Sequence, residues 1–397
     1  MSKKVTDKVT WVGKIDWDLK KFHGDEYSID RGSSYNSYLI RDKKVALIDT
    51  VWQPFDKEFV SRLKQEIDLK EIDYIVANHN EIDHSGALPE LMREIPNTPI
   101  YCTANGAKII KGHYHEDWNF VIVKTGDTLD LGENKLIFIE APMLHWPDTM
   151  FTYLTGENIL FSNDGFGQHY ASELLFNDKV DQGELYEQAM KYYANILTPF
   201  NTFVKKKINE ILALNLPISM ICPSHGVIWK DNPTQIVEQY LRWADNYQED
   251  QVTFVYDTMW NSTRKMAEAM AEGIHEVSPA TKIKLMNSSK DDKNDILTEV
   301  FRSKAILLGS STINNGYLFS IGGILEMIKG LKLKNKSAVA FGSYGWGGEA
   351  VKQLTKGLLE CGFHIVNDGY RSQWVPDDTE LNNCKEYGKQ FAKAVLK

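Results

Sequence analysis

The stretch IDYIVANHNEIDH, residues 72–84, joins a strand-like apolar run to a crowded group of polar side chains. Its first seven residues are mostly apolar, β-branched or aromatic, as in a buried strand. Four potential metal ligands follow within six residues: His79, Glu81, Asp83 and His84. Taken alone, this hexapeptide fits a polar turn before a helix starting near Ser85 as well as it fits a metal site. The choice between the two depends on the rest of the chain.

Three later segments repeat the pattern of an apolar strand followed by one ligand-type side chain. KLIFIEAP runs into His145, ILFSN into Asp164, and ISMICPS into His225. Because sites in α/β sheets assemble at strand ends, the seven side chains are expected to meet. Seven ligands suit two ions that share one carboxylate and keep open positions, rather than one tetrahedral ion. Four imidazoles and three carboxylates suit iron, manganese or zinc, so ligand chemistry alone leaves the metal open.

The order of apolar segments predicts two α/β domains in this chain of 397 residues. Between Tyr38 and about Ile228, strand-like runs alternate with loops and amphipathic segments, which indicates a layered domain with a mixed sheet. Beyond Asp245 the strands VTFVYD, KIKLM, AILLGS, SAVAFGS and FHIVND alternate strictly with helices. Short apolar strands of this kind indicate a doubly wound parallel sheet. The expected domains are residues 1–248 and 249–397.

Three polar loops at strand ends of the second domain outline a mononucleotide pocket. Hydroxyls and free amides at a helix N-terminus can hold an anion, although ordinary N-capping by Ser262 or Thr263 explains the first loop equally well. Neither G-x-G-x-x-G nor G-x-x-x-x-G-K-[ST] occurs, which disfavours a dinucleotide and a nucleoside triphosphate. The candidate binding residues are Thr258, Met259, Trp260, Asn261, Ser262, Thr263, Ser311, Thr312, Asn314, Asn315, Gly316, Ser343, Tyr344, Gly345, Trp346 and Gly347.

Composition excludes several classes of function. A net charge of −9 is the wrong balance for holding a phosphate backbone, so no nucleic-acid partner is expected. The four cysteines include no C-x-x-C pair, so neither a disulfide framework nor a Cys-ligated metal site is expected. No signal sequence and no run of ~20 apolar residues is found, which predicts a soluble cytoplasmic protein with no membrane partner.

The layout of ligands at strand ends resembles the metallo-β-lactamase fold. Zinc hydrolases of that fold carry H-x-H-x-D-H, whereas Glu81 stands here in the second histidine position. H-x-E-x-D-H, followed by LHWPD (144–148), SND-x-FGQH (162–169) and SHG (224–226), resembles the flavodiiron proteins, also called A-type flavoproteins. The likeness covers essentially the whole chain and extends to the core of the flavorubredoxins that reduce nitric oxide. Their rubredoxin module is not expected here, because the sequence lacks the cysteines to build it.

The resemblance implies a fold, two cofactors and a set of site residues. The fold would be a metallo-β-lactamase-like αββα domain followed by a flavodoxin-like domain that binds FMN, with Trp346 stacking on the flavin and Trp260 or Tyr344 nearby. One iron of a non-haem di-iron site would be held by His79, Glu81, His145 and Asp164. The other would be held by Asp83, His84, His225 and the bridging Asp164. Residues along the substrate pocket would be His23, His169 and Tyr192 or Tyr193, each of which could equally be structural.

The implied function is a reductase in which FMN relays electrons to the di-iron site, which reduces nitric oxide to nitrous oxide, dioxygen to water, or both. A zinc hydrolase fused to a flavodoxin-like domain is the alternative, although hydrolysis would need no flavin. A non-catalytic electron shuttle would need a vacant metal site, which fits poorly with seven intact candidate ligands. The resemblance also implies a separate rubredoxin-type electron donor and a head-to-tail homodimer or dimer of dimers.

Overall fold

The computed structural model describes residues 2–396, which form two compact units. One unit comprises Met1–Tyr193 with Phe200–Ala244, and the other comprises Ala194–Pro199 with Asp245–Lys397. No helix among residues 2–396 combines the length and the apolar character that crossing a bilayer requires. The domain limits 1–248 and 249–397 stay a prediction, which FMN titration of a separately expressed 249–397 fragment would test.

Over its described residues, from Ser2 onward, the first unit contains two main β-sheets and seven α-helices. Its strands are β1 (Lys3–Lys4), β2 (Val9–Trp11), β3 (Lys14–Asp16), β4 (Lys21–Phe22), β5 (Tyr27–Ser28), β6 (Ser33–Tyr35), β7 (Tyr38–Arg41), β8 (Val45–Ile48), β9 (Ile72–Val76), β10 (Ile100–Cys102), β11 (Phe120–Ile122), β12 (Thr128–Asp130), β13 (Lys135–Glu140), β14 (Met150–Leu154), β15 (Ile159–Asn163) and β16 (Met220–Pro223). Its helices are α1 (Asp56–Glu66), α2 (Ile82–Ser85), α3 (Leu88–Glu94), α4 (Ala104–Tyr114), α5 (Gln182–Tyr192), α6 (Asn201–Ala213) and α7 (Thr234–Trp243).

The two main sheets face each other across an apolar core. The order is β1-β2-β7-β8-β9-β10-β11 in one and β12-β13-β14-β15-β16 in the other, while β3–β6 and β4–β5 form separate pairs. Successive side chains of a strand point to opposite faces, so Tyr38 and Ile40 of β7 enter the core between the sheets. Leu39, between them, packs against the layer of α1, α3 and α4. On the other side, Phe151 of β14 contacts Phe166, which contacts Tyr240 of α7. The layers are therefore αββα, as the family resemblance implies.

The second unit is built around one parallel sheet. Its strands are β17 (Glu249–Tyr256), β18 (Lys282–Asn287), β19 (Ser303–Gly309), β20 (Thr312–Ile313), β21 (Gly316–Tyr317), β22 (Ser337–Tyr344), β23 (His364–Ile365) and β24 (Tyr370–Gln373). Its helices are α8 (Ser262–Val277), α9 (Lys293–Arg302), α10 (Phe319–Gly330), α11 (Glu349–Glu360) and α12 (Asp378–Val395). The sheet order is β18-β17-β19-β22, with β23 and β24 both beside β22 and every pair parallel. Helices α8 and α12 pack on one face of this doubly wound sheet.

Several short elements were not anticipated from the sequence. Strand β14 follows a polar turn and pairs antiparallel with both β13 and β15. The strands before Tyr38 are only two or three residues long, too short to show a period of two. Strand β24, with the sequence YRSQ, lacks the apolar character of its neighbours, so the sequence predicts FHIVND alone as the fifth strand.

Candidate functional site

Strand β9 delivers the first four candidate ligands to the edge of its sheet. Helix α2 begins at Ile82, three residues before the predicted helix start near Ser85. Asp83 and His84 therefore lie within its single turn. The turn is held from outside, because the backbone amide and the hydroxyl of Thr50 both donate to the carbonyl of His84. These contacts aim the side chains of the turn at the ends of β13, β15 and β16.

All seven predicted ligands converge, and they do so in two groups. Within each group, the ligand atoms lie within 4.8 Å of one another. The first group, hereafter group one, is His79, Glu81, His145 and Asp164. The second, hereafter group two, is Asp83, His84 and His225. This division is the one that the family resemblance implies, and the ligand roles themselves remain a proposal.

The carboxylate of Asp164 lies between the two groups. Its Oδ2 is 3.4 Å from His79 Nε2 and 3.2 Å from His145 Nε2. Its Oδ1 is 3.0 Å from His84 Nε2 and 3.6 Å from His225 Nε2, and it also accepts a hydrogen bond from Ser224 Oγ. Each oxygen therefore faces one group, which is the geometry that a bridging ligand needs.

Several buried polar atoms of this cluster make no hydrogen bond, as expected for atoms that bind cations. His79 Nε2, His84 Nε2 and Asp83 Oδ1 are buried, and none of them makes a contact with hydrogen-bond geometry, although oxygens of Asp164 lie close to both histidines. Burial disfavours a charged His84, but the carboxylates of Asp83 and Asp164 outweigh it and raise the pKa of His84 to about 9. Buried charges in proteins are paired or coordinate metals, and hard oxygen and imidazole donors without thiolate suit iron. The residues present thus fit two metal ions.

Outer contacts fix the imidazole rings of His79 and His225 so that Nε2 of each points inward. His79 Nδ1 lies 3.1 Å from Asp148 Oδ1, while Asp148 Oδ2 accepts from the backbone amide of Asn80. His225 Nδ1 lies 2.7 Å from the carbonyl oxygen of Ser34. Partners of this kind set the tautomer and orientation of metal-binding histidines. Sequence reasoning assigned neither Asp148 nor Ser34 this role, although Asp148 belongs to the LHWPD motif.

The predicted pocket residues separate into neighbours of the cluster and one residue that points elsewhere. His23 Nε2 is 2.7 Å from Glu81 Oε1, and the ring of Tyr192 lies 5.1 Å from that of His169. Burial, together with the nearby His225, lowers the pKa of His169 well below its ordinary value. Tyr193 instead donates to Asn201 Oδ1 and packs against the aromatic rings of α7. Tyr192 is thus the tyrosine whose ring lies against His169 and His225.

A cavity of about 600 Å³ opens at the ends of β17, β19 and β22. Most of the predicted flavin-binding residues line it, while Thr258, Asn261, Thr263 and Gly316 do not. Four lining residues were not predicted: Ile313, Glu349, Trp374 and Val375. The Thr263 hydroxyl ties the three loops together, because its Oγ1 lies 3.0 Å from Ser311 Oγ and 3.2 Å from Ser343 Oγ. The cavity is the one that the three polar loops predict.

The first loop of the cavity has free donors at the start of α8. Asn261 enters the helix with a φ of 65°, and no side chain caps the helix N-terminus. Ordinary N-capping by Ser262 or Thr263 is therefore wrong for this loop. Thr258 Oγ1 is buried without a hydrogen-bond partner. An uncapped helix start beside an unpaired hydroxyl fits a phosphate group.

Two tryptophans stand together at the rim of the cavity. The rings of Trp346 and Trp374 lie 6.5 Å apart, and both side chains are exposed. Trp374 follows β24, and its backbone amide donates to the carbonyl of Tyr344. Sequence reasoning missed Trp374 because it belongs to none of the three polar loops. Its only sequence signal is an aromatic residue after the last strand.

Comparisons with known proteins agree with this architecture. A family model described as ODP family beta lactamase matches residues 34–226, and a flavodoxin model matches residues 254–388. The anaerobic nitric oxide reductase flavorubredoxin of Escherichia coli O1:K1 / APEC is 58% identical over 395 residues, which span 99% of this chain and 82% of that protein.

Solved structures match both units at once. Rubredoxin oxygen:oxidoreductase from Desulfovibrio gigas superposes with a TM-score of 0.96 at 36% identity, covering 100% of this chain and 99% of that one. The flavodiiron protein from Giardia intestinalis gives a TM-score of 0.95 at 33% identity, covering 100% and 97%. The metallo-β-lactamase-like and flavodoxin-like folds are thereby confirmed. On this identity and coverage, the chain belongs to the flavodiiron protein family.

Proposed function

We propose that this chain is a flavodiiron reductase that reduces nitric oxide to nitrous oxide and water, dioxygen to water, or both. The observation that carries the proposal is Asp164, a single buried carboxylate whose two oxygens face two separate groups of ligands. The names of the relatives support it, since one at 58% identity is called a nitric oxide reductase and one at 36% an oxygen oxidoreductase.

The two cofactors of the family fit the residues present. Group one and group two would hold the two irons with Asp164 as the bridge, and the cavity of the second unit would hold FMN. When bound, iron supplies open positions for a small gas, and FMN relays electrons one at a time. The chain contributes the ligand set, which is buried except at Glu81 and His145, both partly exposed. His23, His169 and Tyr192 are proposed to orient the gas and to supply protons.

Metal analysis and gas uptake test the proposal together. Protein reconstituted with ferrous iron and FMN should hold about two irons and should consume nitric oxide or dioxygen when a reduced donor is present. The two gases are assayed separately under anaerobic handling. Tightly held zinc, with no uptake of either gas after iron reconstitution, would instead support the hydrolase alternative.

Thr258→Val is expected to weaken FMN binding without destabilising the apoprotein. The hydroxyl of Thr258 is buried and unpaired, so removing it leaves no protein group without its partner. If that hydroxyl donates to the flavin phosphate, the Kd for FMN should rise about 10-fold, as for one charge-assisted hydrogen bond. Fluorescence titration of apoprotein measures it. Thr355→Val, which removes a hydroxyl bonded to Val351 within α11, is the control and should leave the Kd unchanged.

The proposed electron donor is a separate rubredoxin-type protein. The relative from Desulfovibrio gigas is named for rubredoxin, and the exposed rings of Trp346 and Trp374 rim the flavin cavity, where a small carrier could approach the flavin edge. Trp346 over the isoalloxazine would hinder stacking by a deazaflavin coenzyme. Anaerobic stopped-flow mixing should show faster FMN reduction by rubredoxin, with a rate that changes with ionic strength. Faster reduction by the deazaflavin would exclude this donor.

We further propose a head-to-tail homodimer, alone or paired into a dimer of dimers, in which the flavin of one chain serves the irons of its partner. Trp260 and Phe319 are strongly exposed in the second unit, and exposed apolar side chains of this size favour a protein contact. Mixing a His79→Ala chain with a Thr258→Asp/Ser262→Asp chain should restore part of the activity. No recovery at any ratio would exclude transfer between chains.

A further inference from the structure

His169 has one ring nitrogen engaged and one ring nitrogen without a partner. Nδ1 lies 2.8 Å from Ser33 Oγ, whereas the buried Nε2 makes no hydrogen bond. The ring is surrounded by Phe22, Tyr192 and His225, with centroids 4.9–5.2 Å away. Because Nδ1 and Nε2 lie on opposite sides of the ring, Nε2 faces away from Ser33. It is therefore the ring nitrogen of His169 whose hydrogen-bonding capacity the described residues leave unused.

The direction of the bond between Ser33 and His169 follows from the acceptors that Ser33 can reach. The single hydroxyl hydrogen can go to His169 Nδ1 at 2.8 Å or to the carbonyl oxygen of Ser34 at 3.4 Å. The second distance is beyond the normal range for O–H···O bonds. That carbonyl already lies 2.7 Å from His225 Nδ1. His169 Nδ1 is consequently the better acceptor, and Ser33 is the donor.

The backbone holds Ser33 and His169 in this relation. Ala171, two residues after His169, donates its backbone amide to the carbonyl of Arg31. Gly32 has a φ of 62°, and a Cβ built on it would lie 2.9 Å from Ala171 Cβ and 2.5 Å from the carbonyl oxygen of Asp16. A side chain at residue 32 would thus force the two segments apart. Their close approach is built into the local sequence.

We propose that Ser33 is a positioning residue that donates its hydroxyl hydrogen to His169 Nδ1 and thereby places the hydrogen of the neutral ring on Nε2. Sequence reasoning selected His169 but gave no role to Ser33. With the hydrogen on Nε2, His169 presents a donor to an oxygen of the bound gas or of its reduction product. The inference rests on the proposed function for its purpose, but the position of the hydrogen does not depend on activity.

Neutron diffraction from crystals of the deuterium-exchanged holoenzyme tests the hydrogen position directly. We expect nuclear density for deuterium between Ser33 Oγ and His169 Nδ1 on the serine side, and a second deuterium on Nε2. Deuterium on Nδ1 with a bare Nε2 would overturn the inference even if the enzyme reduces both gases. Failure of the proposed function would appear separately, as a wild-type holoenzyme that consumes neither gas.

Substitutions supply an independent measurement in solution. Ser33→Ala should lower kcat about 10-fold, less than the roughly 10²–10⁴-fold that a positioned proton donor itself contributes, because the imidazole of His169 stays in place. KM and iron content should stay unchanged. Ser37→Ala is the matched control, because its buried hydroxyl donates to the carbonyl of Asp49 and should affect only stability. In a His169→Gln background, Ser33→Ala should have no further effect on kcat. An equal loss in both backgrounds would show that Ser33 does not act through His169.

Discussion

Asp164→Ala is expected to release both irons and to lower gas reduction more than about 100-fold, since loss of even an outer partner of a ligand costs about 10–100-fold in metal affinity or activity. Asp164 Oδ2 faces His79 and His145, and Oδ1 faces His84 and His225. Without this carboxylate, group one keeps a single acidic side chain and group two keeps another. Iron content per chain, measured by mass spectrometry after gel filtration, should fall from about two towards zero.

The control for this experiment is Asp42→Ala. Asp42 is a half-buried residue of the same unit whose carboxylate accepts hydrogen bonds from the side chain of Asn134 and from three backbone amides. Its loss should reduce thermal stability but leave about two irons bound. If Asp164→Ala retained one tightly held iron together with gas reduction, Asp164 would not be the bridge.

The candidate metal ligands were predictable because they follow the ends of strands. Each of His145, Asp164 and His225 follows an apolar run that the sequence marks clearly, and strand ends of a sheet gather in one place. The sequence could not show which of Tyr192 and Tyr193 faces the metal ligands, because adjacent residues differ only in the direction in which their side chains point. That direction depends on the packing of Tyr193 against α7, which the sequence does not reveal.

The sequence did not reveal the residues that orient a neighbouring side chain. Ser33 and Ser34 lie on β6, a strand of three residues paired with β3, far in the chain from His169 and His225. Serine is common in short strands and turns, so only the folded contacts distinguish these two from other serines. Trp374 was missed for a related reason, because its place beside Trp346 depends on the pairing of β24 with β22.

Glu81 is the single ligand position at which this chain departs from the zinc-hydrolase pattern. Its carboxylate lies 2.7 Å from His23 on one side and 3.4 Å from His145 on the other. With Glu81 in place, group one contains two carboxylates and two imidazoles, a harder donor set than three imidazoles would supply. This residue therefore favours iron at group one, whereas group two does not differ from the hydrolase pattern in this respect.

Asp148→Asn is expected to release one iron and keep the other. Asp148 is buried, and its carboxylate contacts His79 Nδ1 but no side chain of group two. The neighbouring His79 outweighs the effect of burial and lowers the pKa of Asp148, so the carboxylate is ionised and accepts from the imidazole. An amide would weaken that contact, and the affinity of group one for iron should fall about 10–100-fold.

Group two should keep its iron in this variant, because the orienting contact of His225 is the carbonyl of Ser34, which the substitution does not touch. Dialysis against a graded series of chelator concentrations should therefore remove iron from Asp148→Asn in two separate steps, with the first step at lower chelator than in the wild type. Asp42→Asn, in which a half-buried carboxylate outside both ligand groups is exchanged in the same way, should follow the wild-type curve. Loss of both irons in a single step would contradict this prediction. It would mean that Asp148 supports the whole centre and not only His79, because the bridge through Asp164 couples the two ions too strongly for one to remain.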